Sequence, residues 1–219
     1  MIAALLALAV AAPSPAALAH KVQSYYERTS DLEARFVQKY TYAAFGRTQS
    51  STGLLRVKKP GKLRWDYEEP SRKTIVVNGA KLTQFEPEAN QVYVDERFDA
   101  SAMSAAVTFL LGQGRLDREF DLATDGEGRL VLTPKKPDPR VARVVLTVGE
   151  SGEVLATRVE DQSGNVNAIA FEGLKRNVGL KDGAFVLDLP KNVHRLGTGA
   201  APPPREQSSQ GPTPARRVP

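Results

Sequence analysis

The sequence predicts a mainly β protein: one large antiparallel sheet, curved into a barrel or most of one, with short helices as its only cover. Three observations carry this. Apolar and polar residues alternate over about a dozen short segments, the period of a half-buried strand. Turn-forming dipeptides fall between those segments, and only two stretches of the chain keep helical spacing.

Residues 1–19 carry no charged side chain and end in Ala17-Leu18-Ala19, an A-x-A pattern. The apolar run of about ten residues is too short to cross roughly 30 Å of hydrocarbon as a helix, so a secretory signal peptide cut after Ala19 is expected. An exported chain without cysteine suits a bacterial periplasm, which is the expected location. From Lys21 onward, Val22, Tyr25, Tyr26 and Thr29 keep helical spacing and predict a short amphipathic helix. The period then becomes two. Leu32, Ala34 and Phe36 alternate with Glu33 and Arg35, Leu55 and Val57 with Arg56 and Lys58, and Leu63, Trp65 and Tyr67 with Lys62, Arg64 and Asp66. Further strands are predicted over 73–77, 81–86, 91–96, 119–123, 129–133, 142–149, 154–161, 166–172 and 184–189. Asn78-Gly79 is a strong hairpin signal, repeated in kind by Asp125-Gly126, Ser151-Gly152, Ser163-Gly164 and Asp182-Gly183. Pro60, Pro70, Pro87, Pro134 and Pro190 sit at strand ends, where a missing N–H does little harm.

The second helical stretch is 99–112, where Met103, Ala106, Val107, Leu110 and Leu111 form one apolar stripe and Gly112 is a natural stop. Its opposite face offers only Ala, Ser and Thr, so the helix is either core or the cover of something apolar. A curved sheet with one oily face needs a lid, and this helix and the N-terminal one are the candidates. Residues 197–219 hold six of the fifteen prolines and almost nothing apolar, which predicts a disordered tail. One folded domain over 20–196 remains.

Composition narrows the function. With no cysteine, thiol catalysis, disulfides and Cys-based metal centres are excluded, and two histidines, His20 and His194, leave little for metal or acid–base chemistry. A net charge of +5 is far from a nucleic-acid footprint. Adjacent acids such as Glu68-Glu69 and Glu160-Asp161 would point to opposite faces of a strand and cannot share a substrate. A binding protein is expected, with no enzyme activity, cofactor, metal or nucleic-acid partner.

The block LRVKKPGKLRWDYEEP, from Leu55 to Pro70, brings two strands together at a Lys-Pro-Gly turn and carries the only tryptophan, Trp65, on the face of Leu63. It resembles the periplasmic outer-membrane lipoprotein carrier (LolA) family, in which a basic residue precedes Pro and a Trp follows five residues later. Phe36-Val37-Gln38-Lys39 resembles that family's F-x-Q-K. Asn78-Gly79 through Phe85, Pro87, Gln91 and Val92 resembles its D-G…Y-x-P…Q-V stretch. Leu132-Thr133-Pro134-Lys135 and Phe185-Val186-Leu187…Pro190 match in order and spacing. The likeness covers roughly 22–196. It implies an incomplete, half-open antiparallel β-barrel of about eleven strands with a helical lid over an apolar cavity. It also implies a monomer that accepts acylated lipoproteins from an inner-membrane ABC transporter complex (LolCDE-like). The cargo would then pass to the outer membrane, to a receptor lipoprotein (LolB-like) where there is one. The basic residue before Pro is the family's lid latch. It is commonly Arg and here is Lys59, which keeps the charge but loses the planar fork of donors. Thr83 and Phe85 stand where an aromatic pair is common, so that cavity wall is expected to be less aromatic.

Magnitudes fit such a carrier. Each buried methylene is worth about 0.8 kcal/mol, so two or three acyl chains would total tens of kcal/mol against water, beyond the ceiling of about −20 kcal/mol for noncovalent binding. The comparison that matters is cavity against bilayer, which is nearly neutral and calls for a shallow pocket that opens. The expected lining is Leu55, Val57, Leu63 and Trp65 from the sheet, with Met103, Val107, Leu110 and Leu111 from the lid. A second reading keeps the fold and changes the ligand, to a lipid or glycolipid carrier or a lipoprotein-sensing regulator. A distant third makes His20 the mature N-terminus and, with His194, a copper brace of an oxidase.

Overall fold

The computed structural model describes residues 13–99 and 114–196. The expected helix over 99–112 apart from Asp99, the first part of the expected signal peptide and the expected tail over 197–219 fall outside the described residues.

The chain enters through helix α1 (Pro15–Glu27). Ser14 caps it by accepting the Ala17 N–H on its hydroxyl at 3.2 Å, and Pro15 takes the first helical position, where no N–H is needed. The expected domain boundary after Ala19 therefore falls inside α1, and Leu18 and Ala19 are buried with Val22, Tyr25 and Tyr26.

Twelve strands follow in one sheet: β1 (Asp31–Tyr42), β2 (Arg47–Lys58), β3 (Lys62–Glu69), β4 (Lys73–Asn78), β5 (Lys81–Glu86), β6 (Gln91–Asp95), β7 (Phe120–Thr124), β8 (Leu130–Pro134), β9 (Arg143–Val148), β10 (Val154–Glu160), β11 (Val166–Arg176) and β12 (His194–Leu196). A single-turn helix α2 (Leu116–Glu119) precedes β7. The spatial order is β12-β6-β5-β4-β3-β2-β1-β11-β10-β9-β8-β7, so among the described residues β12 and β7 are the two edges and the sheet does not close. Every pairing is antiparallel except that of β12, which lies parallel to β6. Eleven antiparallel strands and one short parallel addition match the expected half-barrel.

Period-two alternation gives the sheet one oily face. Cross-strand neighbours run Leu32–Val57–Leu63–Val77–Leu82 and Ala34–Leu55–Trp65–Ile75 on one side of the β1/β11 seam, and Ile169–Thr157–Leu146–Leu130 on the other. The sheet must bend around α1. The helix touches β7 and β8 near one edge, meets β10 through Tyr26, and is held by Lys59 in the β2–β3 turn. Those strands would spread over about 30 Å if flat, whereas thirteen helical residues span about 20 Å.

Two expectations need correcting. The segment 184–189 is not a strand: Asp182–Phe185 form a turn of 3-10 helix, and the chain then runs as a strap to β12. One side chain of that turn, Phe185, is buried, and a single anchor needs no alternation. The strap crosses the outer face of β3 and β4, fastened by Arg64 Nη1 donating to Ala184 O at 3.1 Å and by Lys58 and Lys62 on Asp182. Those two ammonium groups pull the Asp182 carboxyl down to about 2. The strap's start is pinned by the buried Asp31 carboxylate, which accepts the N–H groups of Val178, Gly179 and Leu180. Thr83 and Phe85 are the second correction. They pair with Val94, Val76, Val92 and Thr74 on the outer face, because Leu82, just before Thr83, turns inward beside Val77, as does Gln84 between them beside Ile75. They do not line the oily side.

Candidate lipid-binding face

The four sheet residues expected in the lining are direct neighbours. Leu55 lies opposite Trp65 and Val57 opposite Leu63, and all four are buried, Leu63 completely. Met103, Val107, Leu110 and Leu111 lie outside the described residues.

Aromatic residues that the sequence reading did not single out for this face complete the patch. Phe36 meets the edges of Trp65 and Tyr67 with ring centroids 5.4 and 5.2 Å away, and Tyr67 stacks parallel to Trp65 at 6.2 Å. The signal was available, because Phe36 and Tyr67 share the alternation of Ala34 and Trp65. Gly53 is what lets the ring in: it faces Phe36 across β1 and β2, and a Cβ there would stand 2.8 Å from the ring and 1.9 Å from the Asp66 carbonyl. Trp65 Nε1 is buried and has no acceptor among the described residues. An orphaned buried donor costs about 1–3 kcal/mol, which a polar acceptor entering this face would relieve.

The cover is held at its C-terminal end. Lys59 Nζ donates to the carbonyl of Tyr26, one of the last carbonyls of α1, where the helix dipole favours a cation. The backbone agrees, with Lys59 N–H on Ser30 O at 2.8 Å. Burial lowers the Lys59 pKa, opposed in part by Glu27. The Tyr26 hydroxyl accepts the Val154 N–H at 3.3 Å, and burial pushes its own pKa strongly upward. Arg176 sits over the Tyr25 ring at 4.5 Å. At Gly152, φ is +100° and a Cβ would come within 2.5 Å of Lys21 O, so the β9–β10 turn can press against α1 only as glycine.

Among the described residues there is no group of three or more His, Asp or Glu side chains that could hold a metal. His20 is exposed on α1 and His194 is exposed on β12. Glu68 pairs with Arg35, and Glu160 with Arg143.

A family model described as outer membrane lipoprotein carrier protein LolA matches residues 27–188. The chain belongs to the LolA family. An outer-membrane lipoprotein carrier protein of Methylobacillus flagellatus is 29% identical over 180 residues, covering 80% of this chain and 87% of the relative. Another, from Cupriavidus taiwanensis, is 28% identical over 198 residues, covering 87% and 93%. A solved structure of an uncharacterized conserved protein from Thermus thermophilus superposes with a TM-score of 0.50 at 12% identity, covering 82% of this chain and 96% of that one, and shares the fold. The LolA match begins at the last residue of α1 and ends within the strap, so it takes in the sheet, Lys59 and Trp65.

Proposed function

We propose that the protein is a non-catalytic periplasmic carrier, which takes acylated lipoproteins released from the inner membrane and delivers them to the outer membrane. Their acyl chains would shelter against the oily face of the half-barrel. An inner-membrane ABC transporter complex would load it, and an outer-membrane receptor lipoprotein would unload it where one is present. The observation that carries this reading is the pairing of an unclosed sheet, apolar on one face, with a helix fastened at one end by Lys59. Such a cover can lift without breaking the sheet. Leu55, Val57, Leu63 and Trp65 are the proposed contacts on the sheet, and Met103, Val107, Leu110 and Leu111 those on the lid.

The test is coexpression with a triacylated lipoprotein, purification from the periplasm and mass spectrometry of whatever accompanies the protein. Lipoprotein should co-elute and pass to acceptor membranes. Free phospholipid or glycolipid alone would favour the lipid-carrier reading and overturn this one.

A further inference from the structure

The β1–β2 hairpin ends in an apolar tip that the carrier face does not use. Each strand is twelve residues long, and the turn between them, Ala43–Phe45 closed by Gly46 at φ 57°, projects at the opposite end of β2 from Lys59, roughly 35 Å away along the strand. Phe45 is 82% exposed, the most exposed large apolar side chain among the described residues. The tip is not loose. Ala43 N–H donates to Asn165 Oδ1 at 3.0 Å, and Thr41 and Thr48 share a hydroxyl contact at 2.9 Å. Below it the rings of Tyr40 and Tyr42 lie against each other at 4.6 Å.

The charges that the hairpin itself carries from Ala34 onward have one sign. From Ala34 to Trp65 the sequence contains no aspartate or glutamate. Lys39 and Arg47 are exposed beside the tip, and neither forms an ion pair among the described residues. In the adjoining β10–β11 turn, the Asp161 carboxylate is turned onto its own turn: one oxygen accepts the Ser163 and Asn165 N–H groups and the other the Asn165 amide. Rings with polar tips, a bare Phe and flanking cations form the composition that settles at a membrane–water interface and favours anionic headgroups.

We propose that the β1–β2 tip is a membrane-docking point, with Phe45 entering the acyl boundary, Tyr40 and Tyr42 at headgroup level, and Lys39 and Arg47 on anionic phosphates. It sets the end of the half-barrel opposite the latch against the bilayer. The proposal does not depend on which cargo is carried, and its test uses protein without cargo.

The full chain is mixed with phosphatidylcholine vesicles, with or without phosphatidylglycerol, and floated. Wild type should float with the anionic vesicles and lose that binding as salt rises. Phe45→Ser should weaken partitioning about tenfold or more, and Lys39→Gln with Arg47→Gln should abolish the preference for anionic lipid. Both variants should keep the wild-type melting temperature, since the changed side chains are exposed. In a Trp65→Phe background, Phe45→Trp should shift its emission to the blue on adding anionic vesicles. The proposal is overturned if Phe45→Ser floats as wild type does, if neutral and anionic vesicles bind equally, or if the emission of the introduced tryptophan does not move. It is also overturned if the tip captures a protein in place of lipid. Loading with coexpressed lipoprotein, measured on Phe45→Ser and on Lys39→Gln with Arg47→Gln, both with Trp65 intact, should be unchanged, which separates failure here from failure of the carrier reading.

Discussion

Lys59 meets the end of α1 with one ammonium, where a guanidinium would present a planar fork of donors. Its pKa is lowered by burial, so the folded value lies below the unfolded one. For a lysine that sign means the folded state carries a penalty at neutral pH, relieved as the pH climbs through the folded value toward the unfolded one. Burial thus weakens the hold of Lys59 on α1. Lys59→Leu should free the last turn of α1 at a cost of about 1–2 kcal/mol, read as faster amide exchange there with the sheet unchanged, and Lys59→Arg should slow it. Equal exchange in all three proteins would mean that packing alone seats the helix. The position of Lys59 before Pro60 is legible in the sequence. Its acceptor is not, because only the curvature of the sheet brings the Tyr26 carbonyl to the β2–β3 turn. Phe36 and Tyr67 could have been placed on the oily face by parity alone, and Thr83 and Phe85 excluded from it, by counting from Leu82.

At the scale of elements, the sequence pattern locates most strands to within a residue or two, since one buried face imposes strict alternation. It fails where that constraint is absent. The strap needs one anchor, Phe185, and backbone bonds supplied by Arg64, Lys58 and Asp31, none of which leaves a period. The start of α1 shows two local signals in competition. Ala17-Leu18-Ala19 reads as a cleavage site, but the structure winds it into α1, with Ser14 as the cap and Pro15 in the first turn. A mature chain beginning at His20 would lose the cap, worth about 1 kcal/mol, and the burial of Leu18 and Ala19, worth about 2 kcal/mol more. A form starting at Pro13 should therefore melt several degrees higher than one starting at His20, and N-terminal sequencing of the exported protein should find a residue at or before Ser14. Equal melting temperatures would show that the first turn of α1 adds nothing.

Taken as a whole, the molecule is a sheet left open at two edges whose oily face is closed by α1, so emptying that face for a ligand and unfolding draw on the same contacts. Leu63 tests the balance because it is fully buried, with Val57 and Val77 as its neighbours across the sheet. A glutamate there is an unpaired charge in the closed form, and removing such a group from water costs several kcal/mol. The protein can escape that cost by lifting α1, so Leu63→Glu should unseat the helix before it melts the β1–β2–β11 centre of the sheet. Exchange should rise in α1 first, acyl cargo should no longer be retained, and Leu63→Met, which keeps volume and apolarity, should load normally at a cost under about 1.5 kcal/mol. If Leu63→Glu retained cargo while keeping a seated α1, acyl chains would have to lie elsewhere than against this face. If the whole sheet melted together with the helix, the cover would be part of one cooperative core and could not act as a lid.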